Sequence, residues 1–211
     1  NHVFFARHAV RRGHAVDEHV VDLRMLGQFL LDESRVDEVA IVADPATLAV
    51  KEKEPAVLVA VADVAHENGL PLLVDSTFAT PYLCRPIDFG ADLVVHSATK
   101  FLSGHGVVIG GLLVDAGTFD WEATERFPTL TEPYDGFHDL IFAEEFGPQA
   151  FITRARKEGL RDFGACMAPL TAFQILQGLE TLPLRMSKHV DNTREVVAFL
   201  QEQPAVVSVS Y

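Results

Sequence analysis

Asp92-Leu93-Val94-Val95-His96-Ser97-Ala98-Thr99-Lys100 is a short apolar run that ends in hydroxyls and a single amine. Upstream, Leu70-Pro71-Leu72-Leu73-Val74 is a second apolar run, closed by Asp75. Near-continuous apolar runs of this length predict strands covered on both faces, as in a parallel sheet. Open α/β sheets place their ligand sites at the carboxyl ends of such strands, where Asp75 and the Ser97–Lys100 group fall.

Outward from these runs the pattern alternates. Val36 to Ala43 reads as a strand stopped by Asp44-Pro45, because the residue before proline is pushed out of the helical region. Pro55 suits the first turn of a helix running to about Asn68, with Gly69 just past its end. Val57, Val61, Val64 and Ala65 line one face of that helix. After the two central runs comes a loop with Gly104 and Gly106, then a third apolar strand from Val107 to Val114. Trp121 to Gly147 is irregular and aromatic-rich. Helices are expected over Pro148–Gly159, about Pro169–Leu182 and Leu184–Gln203, with Pro183 separating the last two, and a strand over 204–211. Residues 1–35 are the least legible, with helix-like spacing only over Leu23–Leu31. The fold class is α/β: a mostly parallel sheet covered by helices.

The 211 residues suffice for one good-sized domain, and 48% hydrophobic with 22% charged residues is an ordinary globular balance. A net charge of -13 with scattered basic residues argues against a nucleic-acid or anionic-membrane partner. No run approaches the roughly 20 apolar residues of a membrane span, and the first residues do not form a signal peptide. The chain opens without Met, so its start is expected to be processed, truncated or partly missing. Cys84 and Cys166 sit in apolar contexts without metal-ligand spacing; two buried thiols in a reducing cytoplasm is the expectation, with no metal site.

A lone strand-end aspartate is usually a turn former and a lone lysine is usually solvated. Together these residues suggest more. A lysine can form a Schiff base with an aldehyde, and an aspartate can hold a protonated ring nitrogen. Ser97 and Thr99 alternate on the strand end opposite Ala98 and offer hydroxyls to a phosphate. Asp75, Ser97, Thr99 and Lys100 are therefore the inventory of a pyridoxal 5'-phosphate (PLP) site. Gly104-His105-Gly106 and Gly110-Gly111 match neither G-x-G-x-x-G nor a P-loop, so nucleotide binding is a poor second. His96 is expected on the packing face, opposite Ser97.

The stretch Leu72-Leu73-Val74-Asp75-Ser76-Thr77-Phe78-Ala79-Thr80-Pro81-Tyr82-Leu83-Cys84-Arg85-Pro86 resembles the hallmark of the Cys/Met-metabolism PLP enzymes. The resemblance continues through Gly90-Ala91-Asp92 to Gly111, Phe163-Gly164-Ala165-Cys166 and Leu176-Gln177-Gly178-Leu179-Glu180-Thr181-Leu182, into Arg185-Met186. It implies a fold type I (aspartate-aminotransferase-like) large domain over 1–203, incomplete at its N-terminus, with 204–211 starting a small domain that is not present. Lys100 is implied as the catalytic residue, which takes the α-proton and shuttles protons between carbons. Phe127-Pro128 to Thr131-Glu132-Pro133, Phe137-His138 and Glu145-Phe146-Gly147 resemble an insertion of the O-acetylhomoserine sulfhydrylases. The implied reaction replaces the γ-acetoxy group of O-acetylhomoserine with sulfide; a γ-lyase or synthase of the same family, or a non-catalytic relative, is the alternative. Where the family has Asn-Pro against the cofactor's phenolic oxygen, this chain has Asp44-Pro45, so Asp44 is the matching cofactor contact. Ser76 stands in place of asparagine, and the family's phosphate cradle and carboxylate-binding arginine are expected outside the chain. Arg185 is expected in a structural pair. The resemblance also implies an amino-acid substrate and a homo-oligomer, a dimer of dimers.

Overall fold

The computed structural model describes residues 41–43 and 54–209. A four-stranded sheet runs in the order β1 (Ile41–Ala43), β2 (Leu72–Asp75), β3 (Leu93–Ser97), β4 (Gly111–Asp115). The β1–β2 and β2–β3 pairings are parallel, and β3–β4 is antiparallel. Helix α1 (Glu54–Glu67) crosses between β1 and β2. It ends as its glycine dictates: Gly69 takes φ +66°, Leu70 N–H donates to Ala65 O at 2.9 Å and Gly69 N–H to His66 O at 2.9 Å.

Alternation along the strands assigns the two faces. Leu72, Val74 and Val94 pack on one side with Leu58, Val61, Ala62 and Ala65 of α1. Leu72, Val74 and Leu58 are fully buried, each contributing about 1.5–3 kcal/mol. Leu73 and Leu93 point the other way, into an aromatic cluster that includes Trp121, Phe142 and Phe151. That cluster is the segment expected to be irregular. Its backbone is mostly loop with two short helices, α3 (Pro128–Thr131) and α4 (Phe142–Phe146), yet its rings pack as a core. Trp121 stacks on Phe151 of α5 (Ala150–Arg161) with centroids 5.2 Å apart. Arg154 lies 4.3 Å over the Tyr134 ring and pairs with Glu158 at 3.0 Å, which holds the Glu158 carboxyl below its ordinary range.

Between β2 and β3, α2 (Thr80–Leu83) opens on Thr80, buried at φ +58°, a costly conformation for a β-branched residue. Helices α6 (Pro169–Glu180) and α7 (Leu182–Gln201) follow, separated at Thr181, with Pro183 in the first turn of α7.

Three sequence expectations are corrected. The third strand begins at Gly111 rather than Val107: residues 107–110 form the run-in from a turn containing Gly104 and Gly106, both at positive φ. That tight turn reverses the chain, which is why β4 is antiparallel. Residues 204–209 form no strand, having no neighbour to pair with among the described residues. Cys84 is buried but Cys166 is exposed, since the segment between α5 and α6 lies on the surface. Residues 1–40 and 44–53, with the expectations for Leu23–Leu31 and Asp44, lie outside the described residues. Among the described residues no helix is long and apolar enough to cross a membrane.

Candidate cofactor site

Parallel pairing of β2 with β3 sets Asp75 opposite Val95, so the two strands end side by side. Alternation places Asp75 on the face of Leu73, and Ser97 on the face of Leu93 and Val95, which is the same face of the sheet. One side chain joins them. Thr77 Oγ1 donates to Asp75 Oδ1 at 2.5 Å and accepts the Ser97 N–H at 2.8 Å. Thr77 N–H also donates to Asp75 Oδ1 at 3.0 Å, closing an Asx-type turn. Asp75 Oδ1 is thereby fixed, while Oδ2 has no hydrogen-bond partner among the described residues.

His96 takes the opposite face, as its position in the strand requires. It is 6% exposed, and Nδ1–H donates to Ser76 O at 3.0 Å. Burial lowers its pKa from the ordinary 6.5, opposed by the Ser76 carbonyl and by the Asp75 charge, so it is a neutral packing histidine.

Beyond Ser97 the chain folds into one tight turn. Lys100 N–H donates to Ser97 O at 3.1 Å, Ser103 N–H to Ala98 O at 3.1 Å and Gly104 N–H to Lys100 O at 2.8 Å. Thr99 Oγ1 receives Gly110 N–H at 3.0 Å and donates to Gly110 O at 3.3 Å, pinning the turn to the run-in of β4. Ala98, 0% exposed, and Leu102 point inward to Ile175, Leu182 and Met186 of α6 and α7. Lys100 is on the exposed side, and its amine pairs with no carboxylate among the described residues. The structure thus brings Asp75, Ser97, Thr99 and Lys100 to one sheet edge.

The donor set fits PLP chemically: a free carboxylate oxygen for a protonated ring nitrogen, an exposed amine for an aldehyde, and the Ser97 hydroxyl, without a partner among the described residues, for a phosphate oxygen. Thr99 has its hydroxyl hydrogen on Gly110 and must release that longer bond to donate elsewhere. Two contributors were hidden in the sequence. Thr77 was only one letter of a motif, although an aspartate commonly bonds the backbone two residues on, which would place Thr77 beside Asp75. Arg185 turns its guanidinium to backbone carbonyls of the lysine turn and not to a carboxylate.

Comparison with known proteins adds a family. The model of the Cys/Met metabolism PLP-dependent enzymes matches residues 52–211. The chain is 50% identical to a homocysteine synthase of Schizosaccharomyces pombe over 153 residues, covering 72% of this chain and 36% of that protein. It is 48% identical to an O-acetyl-L-homoserine sulfhydrylase of Leptospira meyeri over 162 residues, covering 73% and 36%. Among solved structures, one assigned as an O-acetylhomoserine (thiol)-lyase from Campylobacter jejuni, with a pyridoxyl-lysine monophosphate, superposes with a TM-score of 0.75 at 30% identity. That match covers 90% of this chain and 45% of the neighbour. The chain spans about a third of the length of the curated relatives it matches.

Proposed function

The chain belongs to the Cys/Met metabolism PLP-dependent enzymes, and on that premise we propose that it forms the lysine-bearing core of an O-acetylhomoserine sulfhydrylase. The reaction is γ-replacement: O-acetylhomoserine and sulfide give homocysteine and acetate. The observation that carries the proposal is the convergence of Asp75, Ser97 and Lys100 at adjacent strand ends, tied by Thr77. The relatives' names and the aromatic segment at 127–147 favour the sulfhydrylase over a lyase.

PLP, when bound, supplies an electron sink beside the substrate α-carbon. Asp75 Oδ2 would accept the ring N–H and favour the protonated nitrogen, because a carboxylate stabilises the charged form. Thr77 fixes the carboxylate through two bonds to Oδ1. The Ser97 hydroxyl would donate to the phosphate, joined by Thr99 once that hydroxyl releases Gly110 O. Lys100 Nζ would hold the cofactor's aldehyde, and as a free amine it would take the substrate α-proton and deliver it further along the chain of carbons. Asp44 is proposed against the phenolic oxygen. A cytoplasmic homo-oligomer, a dimer of dimers, completes the proposal on the family resemblance.

The test is spectroscopic first. The full-length protein with PLP should absorb near about 420 nm, and borohydride should fix the cofactor on Lys100 in a peptide map. Lys100→Ala should remove the label and lower turnover by about 10²–10⁴-fold. Homocysteine formed from O-acetylhomoserine and sulfide supports the sulfhydrylase. Release of 2-oxobutyrate and methanethiol from methionine would move the assignment to a lyase, and no label at Lys100 would end it.

A further inference from the structure

We propose that Arg185 is a positioning residue for Lys100, its guanidinium clamping the back of the lysine turn to the α6–α7 junction and so setting where the amine sits. The inference rests on the reading of Lys100 as the cofactor lysine.

Arg185 stands in the first turn of α7 and reaches across 84 positions of sequence: Nη1 donates to Phe101 O at 2.8 Å. Nη2 donates to Gly178 O at 2.7 Å, with a longer approach to Leu102 O at 3.5 Å. Nε donates to Thr181 Oγ1 at 3.1 Å. One planar group therefore ties three carbonyls and a hydroxyl from two separate pieces of chain. Gly178 and Thr181 lie at the carboxyl end of α6, where a cation is favoured by the helix dipole. A lysine amine has no fork and cannot bridge the same set.

The surroundings are shaped for this group. Gly104 carries no side chain where a Cβ would overlap the guanidinium, and its φ is +71°. Gly178 lets α6 approach the turn so closely that a Cβ there would lie 2.7 Å from Leu102 O and 2.6 Å from the Ser103 carbonyl carbon. Arg185 meets no carboxylate among the described residues, so the clamp is not a by-product of an ion pair. The carbonyl that Nη1 holds belongs to the residue directly after Lys100. Ser97, by contrast, is held from the strand side by Thr77. Loosening Arg185 should therefore disturb the amine and leave the phosphate donor in place.

That asymmetry makes the test. Full-length apoprotein is mixed with PLP, which needs the Lys100 amine, or with pyridoxamine 5'-phosphate, which shares ring and phosphate but has no aldehyde. Arg185→Lys should slow growth of the visible band by about tenfold or more, in line with the steep cost of small misplacements, while pyridoxamine phosphate affinity stays within about twofold of wild type. Thr181→Val, which removes the Nε partner together with that hydroxyl's own longer bond to Gly178 O, should slow it about two- to threefold; if Arg185→Lys does not fold, this variant decides on the same criteria. An unchanged rate overturns the proposal. So does an equal loss with both probes, the mark of a merely structural arginine. If the wild type itself forms no band and takes no borohydride label at Lys100, the underlying assignment has failed, and wild type alone reveals that.

Discussion

Between Asp75 and Ser97 stands a single hydroxyl, giving its hydrogen to one and accepting the amide hydrogen of the other. Thr77 is 6% exposed, so removing that hydroxyl leaves the Ser97 N–H with no acceptor in a dry place. Thr77→Val should lower stability by about 1–3 kcal/mol, the desolvation penalty of one orphaned buried donor, read as a denaturant-midpoint shift; Thr77→Ser should restore most of it. A Val variant as stable as wild type would show that Thr77 ties nothing. On the other face, His96 binds fewer protons folded than unfolded below pH 6.5, because burial has lowered its pKa. Its contribution is therefore complete above about pH 6.5 and is lost as acid drives the pH down towards the folded value. His96→Asn places a non-titrating amide near Nδ1. Its melting temperature should fall less between pH 7 and 5 than that of wild type; parallel curves would clear His96 of the effect.

The elements are joined by close approaches as much as by apolar area. Helix α6 meets the lysine turn across Gly178, and no side chain fits there. Gly178→Ala should cost about 3 kcal/mol, at the upper end of overpacking penalties, although alanine is the better helix former by about 1 kcal/mol. Thermal unfolding reads this directly: a stabilised variant would mean that the contact is slack. The aromatic segment is held differently. Trp121, Phe119 and Phe127 meet edge to face at 4.8–5.7 Å, so rings rather than long helices anchor it under β3. Its sequence looks irregular because periodicity registers helices and strands, whereas these rings converge from short turns.

At the scale of the molecule, large apolar side chains among the described residues lie exposed: Phe163 is 87% exposed, Leu170 67% and Leu184 75%, and Leu112, Leu113 and Val114 of β4 are exposed. Patches of this kind favour association. The 211-residue chain alone is expected to bind 8-anilinonaphthalene sulfonate and to self-associate in sedimentation, despite its charge of -13; a dye-silent monomer would contradict this. Much of the fold was legible in advance because it is local. The apolar runs at 72–75 and 93–97, the helix stop at Gly69 and the position of His96 opposite Ser97 follow from alternation and from glycine's freedom. The residue types of the candidate site, Asp75, Ser97, Thr99 and Lys100, stood in the sequence too. Only the tertiary structure decided how β4 turned back, that Cys166 faced solvent, that Thr99 spent its hydroxyl on Gly110, that Thr77 bonded the Ser97 amide and that Arg185 bonded the Phe101 carbonyl. Those facts join residues up to 84 positions apart, and no local propensity records which distant carbonyl a side chain will meet once the core has closed.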